Sequence, residues 1–147
     1  MEVAGQSCDI DRNIRNSNDI VEFLVKFKFN RLSYDDKLYV KDLGTPHPDL
    51  SRTLINQGKP SRSFVNSWYD KCKWLTGSSV LNRLFCWPCV LFSNRGEEVW
   101  SKTGYDNLKN LGRSIEKHSK SQEHIACTCK FHLLGKQNIA TFIDTAH

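Results

Sequence analysis

Apolar residues along the chain come in short bursts separated by turn formers. Residues 19–29 are the first burst. Val21, Phe23, Val25, Phe27 and Phe29 alternate as in a strand, whereas Ile20, Phe23, Leu24 and Phe27 line a helix face that Asp19 can cap. The pattern leaves both readings open. Residues 30–62 carry Gly44, Pro46, Pro48, Gly58 and Pro60, which break regular structure and predict an extended linker. Phe64, Val65, Trp68, Cys72 and Leu75 then recur at helical spacing behind Ser61 or Ser63 as cap. Residues 76–79 read as a turn, residues 80–85 as a strand that resumes over 90–92, and residues 93–96 as a second turn. The expected result is a hairpin-like knuckle with Trp87-Pro88 at its tip.

Trp100 and Tyr105 flank a break at Thr103-Gly104, and Asp106 is a candidate N-cap for the helix that follows. On that helix Leu108, Leu111, Ile115 and His118 share one face, and Lys109, Arg113, Lys117 and Lys120 the other. Residues 119–121 bend the chain. Ser121 can cap a last helix with Glu123 in its first turn, and Gly135 ends it. Residues 1–18 are polar and read as a disordered tail, and residues 136–147 as a helical tail that stops abruptly.

Composition changes this picture in two ways. The chain has 147 residues, 39% of them hydrophobic, and a mean hydropathy of -0.52. That is little apolar material for a large core, and it favours a compact piece held by a metal. No apolar h-region opens the chain and no apolar run reaches the ~20 residues that span a bilayer, so a soluble intracellular protein is expected. The six cysteines then point to metal binding before disulfides. The net charge of +5 falls wholly within residues 60–130, which hold eleven Lys/Arg against six Asp/Glu. A local surplus of this kind fits a polyanionic partner, although a solvated basic face produces it too.

The candidate chemistry sits in the same segment. Cys86 and Cys89 form a Cys-x2-Cys pair, and His118 and His124 follow as His-x5-His. Two thiolates and two imidazoles are the donor set of a closed tetrahedral Zn2+ site, which leaves no position for activating water. A redox reading of Cys86-Trp87-Pro88-Cys89 needs a strand before it, a helix after it and a βαβ context. Val90-Leu91-Phe92-Ser93 is a poor helix start and nothing downstream alternates βα, so zinc is preferred to redox. Cys127, Cys129 and His132 are alternative ligands, but Cys-x-Cys on a helix splays its side chains by about 200°. Cys72 reads as a buried thiol on an apolar stripe, and His47, between two prolines, as a loop residue. Cys8 is given no role. The expected fold is α+β: a small zinc-stabilised domain over residues 60–135, built of a β-hairpin knuckle plus helices. Residues 19–59 precede it as an amphipathic segment and extended linker, behind a disordered or extended N-terminal region.

The ordered set Ser63-Phe64, Trp68-Tyr69, Trp74-Leu75, Phe85-Cys86-x-Pro88-Cys89-x-Leu91-Phe92, Trp100-x3-Gly104, Leu108 and Lys117-His118-x5-His124 resembles the TTF-type zinc finger of hAT-family transposases. That module also occurs in domesticated relatives similar to zinc finger MYM-type proteins. The stretch from Leu38 through Gly44, Pro46 and Pro48 resembles the segment that precedes the finger there, so the likeness covers residues 34–135. It implies Cys86, Cys89, His118 and His124 as zinc ligands, transposon-end DNA as partner and the nucleus as location. Full-length relatives continue into an RNase H-like catalytic domain. No acidic triad on a suitable scaffold is visible, so the expectation is a binding module, a stand-alone finger or a transposase remnant, and not an enzyme. No membrane or small-molecule substrate is implied. The two function classes are DNA binding through Lys109, Arg113, Lys117 and Lys120, and protein binding through a displayed Trp87 and Trp100. The alternative role for these two tryptophans is to cover the zinc site.

Overall fold

A computed structural model describes residues 14–94 and 98–136. Residues 1–13 of the disordered tail expected over 1–18, and the helical tail beyond residue 136, lie outside the described residues, as does part of the turn at 93–96. The architecture is α+β, with helices around two small antiparallel hairpins, in agreement with the expected fold class.

The first apolar burst is a helix, α1 (Ile20–Lys26). Asp19 decides it: one carboxylate oxygen accepts from the Glu22 N–H at 2.9 Å, and the other accepts from Ser78 Oγ at 2.7 Å and Val80 N at 2.9 Å. One side chain thus starts the helix and ties it to a turn far along the chain. A short 3-10 turn, Phe29–Arg31, follows.

The linker expected over residues 30–62 contains ordered structure. Tyr34–Leu43 is helix α2, capped by Ser33 Oγ, which accepts from Asp36 N at 3.1 Å. Its weak amphipathicity hid it: Val40 is its one fully buried residue. Beyond it, Leu50 and Leu54 enter the core, and β1 (Ile55–Asn56) pairs with β2 (Arg62–Ser63) across the loop containing Lys59-Pro60. Upstream, Ile14 is buried and Arg15 pairs with Asp36 at 2.7 Å, so the disordered reading does not hold for these two residues.

The helix expected behind Ser61 or Ser63 shrinks to one turn, α3 (Trp68–Lys71), because Ser63 belongs to β2 and Leu75 to the next strand. That strand, β3 (Leu75–Ser78), replaces the turn expected at 76–79. It pairs with β4 (Arg83–Cys86) in the register Leu75↔Cys86 to Ser78↔Arg83. Thr76 is buried because its hydroxyl donates to the Pro46 carbonyl at 2.6 Å, which lets a polar residue sit inside.

Strand β4 divides the interior. Successive side chains of a strand point to opposite faces. Leu84 and Cys86 enter one cluster with Leu50, Phe64, Leu75, Trp100 and Leu111. Phe85 and the following Trp87 enter the other, with Val21, Leu24, Phe29, Val40 and Leu91. Residues upstream of residue 60 therefore share both clusters with those downstream.

Past β4 the chain becomes helix α4 (Trp87–Phe92), not the expected strand. Pro88 fits the first turn of a helix, where its missing N–H is no loss. Trp87 to Leu91 are all buried, and burial on every side erases the polar alternation that separates helix from strand. A π-helical turn, Val99–Thr103, closes through Gly104 N to Val99 O at 2.7 Å. Two helices complete the described chain, α5 (Leu111–Ser119) and α6 (Gln122–Leu133). Asp106 does not cap the first of them. A 3-10 turn, Leu108–Asn110, leads in, and Asp106 instead meets Arg83 at 3.5 Å. Ser121 caps α6 as expected, accepting from His124 N at 3.1 Å. Among the described residues, no helix is long and apolar enough to cross a membrane.

Candidate metal centre

The two cysteines reach one point because β4 ends where α4 begins. Cys86 occupies the N-cap position and Cys89 the first turn, so three residues of helical path bring both sulfurs to the same side. The histidines arrive from the α5–α6 corner. His118 lies in the last turn of α5, and His124 in the first turn of α6, fixed there by the Ser121 cap. α6 runs along α4, which closes the arrangement.

One donor atom from each of Cys86, Cys89, His118 and His124 lies within 4.8 Å of the other three, and all four residues are buried. Cys86 Sγ is 3.3 Å from His124 Nδ1, and Cys89 Sγ is 3.4 Å from His118 Nε2 and 4.0 Å from His124 Nδ1. Metal–sulfur and metal–nitrogen bonds of ~2.3 and ~2.0 Å in a tetrahedron separate sulfur from nitrogen by about 3.5 Å. The residues therefore fit a four-coordinate metal ion. With Nδ1 as the ligand atom, His124 keeps its proton on Nε2, which faces Thr128 Oγ1 at 3.4 Å and can donate to it.

Electrostatics agree with the geometry. Burial holds His118 down to a pKa of about 4, helped by neighbouring His124 and opposed by Glu123. Burial also lowers His124. Both imidazoles are then neutral near pH 7, as ligation requires. Around Cys89, the Cys127 thiol lowers the pKa, but the Cys86 thiol, burial and the charges of Cys86 and Glu123 together push it well up. Without a cation, the Cys89 thiol keeps its proton near neutral pH. A divalent cation supplies the charge that reverses this.

An aromatic wall surrounds the ligands. Trp74 meets His118 edge-on at 4.9 Å and His124 at 5.2 Å, and its indole N–H donates to Ser119 Oγ at 3.0 Å. Trp100 lies 5.4 Å from His118 and stacks on Tyr105 at 4.7 Å. Trp87 is 0% and Trp100 6% exposed. Of the two roles open to them, burial favours cover over display: Trp100 packs in the cluster of the ligand cysteines, while Trp87 packs in the other cluster. Trp74 was not singled out as a site residue, although its position between Cys72 and β3 made it a candidate.

The other sequence candidates separate cleanly. Cys127 is buried, reaches Glu123 Oε2 at 3.6 Å, and is pushed up in pKa first by Cys89 and then by burial. Cys129 is exposed, so the splay of Cys-x-Cys is as expected. Cys72 is buried but is not one of the four clustered donors, and burial raises its pKa to about 11. His47 stacks on Tyr69 at 4.4 Å, and exposed His132 packs against Phe131. One ground against the redox reading fails, because a helix does follow the pair. The other stands: both sheets are antiparallel hairpins, with no βαβ unit among the described residues. Lys109, Arg113, Lys117 and Lys120 are all exposed. Lys120 faces Glu116 at 3.4 Å, and the other three have no ion-pair partner among the described residues. Comparison with family models, with curated proteins and with solved structures finds no match to this chain, so a buried Cys/Cys/His/His cluster in an α+β fold is what identifies it.

Proposed function

We propose that the chain is a zinc-stabilised DNA-binding module. The observation that carries this reading is the placement of α5. Its inner face delivers His118 to the donor cluster, while Arg113 and Lys117 on the helix, and Lys109 on the 3-10 turn before it, stand exposed and without ion-pair partners among the described residues. Ligation anchors the helix from within and leaves its cations free for phosphates. Zn2+ is the ion proposed because two thiolates with two imidazoles suit it best, and four protein donors make the site structural. The resemblance to TTF-type fingers extends the proposal to transposon-end DNA and a nuclear location. A protein-binding module built on Trp87 and Trp100 is disfavoured, because both are buried.

The test is a gel-shift titration of the full zinc-loaded chain on duplex DNA at two salt concentrations. Each phosphate contact contributes about -0.9 to the slope of log affinity against log salt. Replacing Lys109 and Arg113 by Gln should lower that slope by about 2 and weaken binding alike on all sequences. Binding that ignores salt, or its absence at low salt, removes the proposal.

A further inference from the structure

We infer that the cavity between the α1 end of the molecule and the α4–α6 layer is a binding site for a phosphate group. The cavity measures about 370 Å³, and its wall includes Lys28, Arg31, Lys102 and Lys130, but no Asp or Glu among the described residues. None of these four cations has an ion-pair partner among the described residues. Ser101 also belongs to the wall. It is only 3% exposed, and its Oγ has no hydrogen-bond partner among the described residues.

Four like charges gathered around a concavity repel one another and focus a positive field into it. The buried Ser101 hydroxyl on the same wall is a further donor without a partner among the described residues, and buried polar groups are almost always satisfied. A carboxylate offers two oxygens to these donors. A free phosphate offers four and carries up to two negative charges, and a backbone phosphodiester brings its neighbours along the strand, so either can engage more of the four cations than a single carboxylate does. The cations come from the segment after α1, the π-helical turn and α6, which only the fold brings together. Lys109, Arg113, Lys117 and Lys120 take no part, so the inference is independent of the DNA-binding face. The same chemistry can come from a free phosphate ion or from a nucleic-acid backbone, and the experiment separates the two.

The full zinc-loaded chain is titrated with sodium phosphate at constant ionic strength, balanced with chloride, while backbone amides are followed by NMR. Saturable shifts centred on Ser101, Lys102 and Lys130 are expected. Lys102→Gln with Lys130→Gln should weaken them at least about tenfold, and Arg31→Gln, an exposed single change, should weaken them too. Lys109→Gln should leave them unchanged. A parallel arm adds duplex DNA. Shifts of the same amides, reversed by free phosphate, assign the site to a backbone phosphate; response to phosphate alone assigns it to the free ion. Shifts that chloride reproduces, that fail to saturate, or that survive both sets of variants overturn the inference. Such a failure leaves the salt-dependent gel shift through Lys109 and Arg113 untouched, so the two proposals fail separately.

Discussion

Removing the proposed metal ion is the most direct perturbation of this protein. The ion would bridge Cys86 and Cys89, on the β4–α4 corner, to His118 and His124, on the α5–α6 corner. Cys89 and His118 are 29 residues apart. Closing a loop of that length restrains the unfolded chain by about 3–4 kcal/mol in the chain-entropy treatment of cross-links. Bond formation adds more, and structural zinc sites reach about 10–16 kcal/mol apparent in total. A domain's whole net stability is only about 5–15 kcal/mol, so chelation should remove the cooperative transition altogether. The assay is thermal unfolding followed by tryptophan emission, before and after excess chelator, with metal content measured in parallel. Trp74 and Trp100 sit against the imidazoles and should shift to the red as the ligands part. Cys86→Ser should reproduce the loss, while Cys129→Ser, at an exposed position, should not. A metal-free protein that melts at the same temperature would show that the two apolar clusters suffice and that the ion is dispensable.

Three further outcomes follow from particular contacts. His118 is held neutral to about pH 4, whereas an unfolded imidazole takes up its proton near 6.5. The unfolded state binds more protons in that window, and the same protons compete with a bound metal for the imidazole, so the stability of the metal-loaded chain should fall as pH drops from 6.5 to 4, read from urea midpoints. Gly104→Ala should destabilise by about 2–4 kcal/mol in the same assay, because Gly104 has a φ of +92° and a Cβ there would overlap Arg83 Cβ and Cγ and meet Phe85 Cζ at 2.9 Å. Asp19→Ala should cost about 2–3 kcal/mol by removing a helix cap and two hydrogen bonds to the β3–β4 turn; a loss below about 0.5 kcal/mol would mean that α1 is not integral to the fold.

The sequence by itself determined what depends on near neighbours. The Cys86–Cys89 spacing, the pattern of apolar and basic residues along 108–120, the Ser121 cap and the break at Gly104 were all legible, because spacing, capping and turn formation act over a few residues. The donor types of the candidate centre were legible for the same reason. The tertiary structure decided the rest. It chose helix for residues 20–26 through an Asp19 contact with Ser78, 59 residues away. It made helices of residues 34–43 and 87–92, one too weakly amphipathic and the other too completely buried to show a period. It also buried Trp87 and Trp100 and gathered Lys28, Arg31, Lys102 and Lys130 along the wall of one cavity. Convergence in space leaves no mark on local spacing, and a segment buried on every side loses the polar positions from which its form could be read.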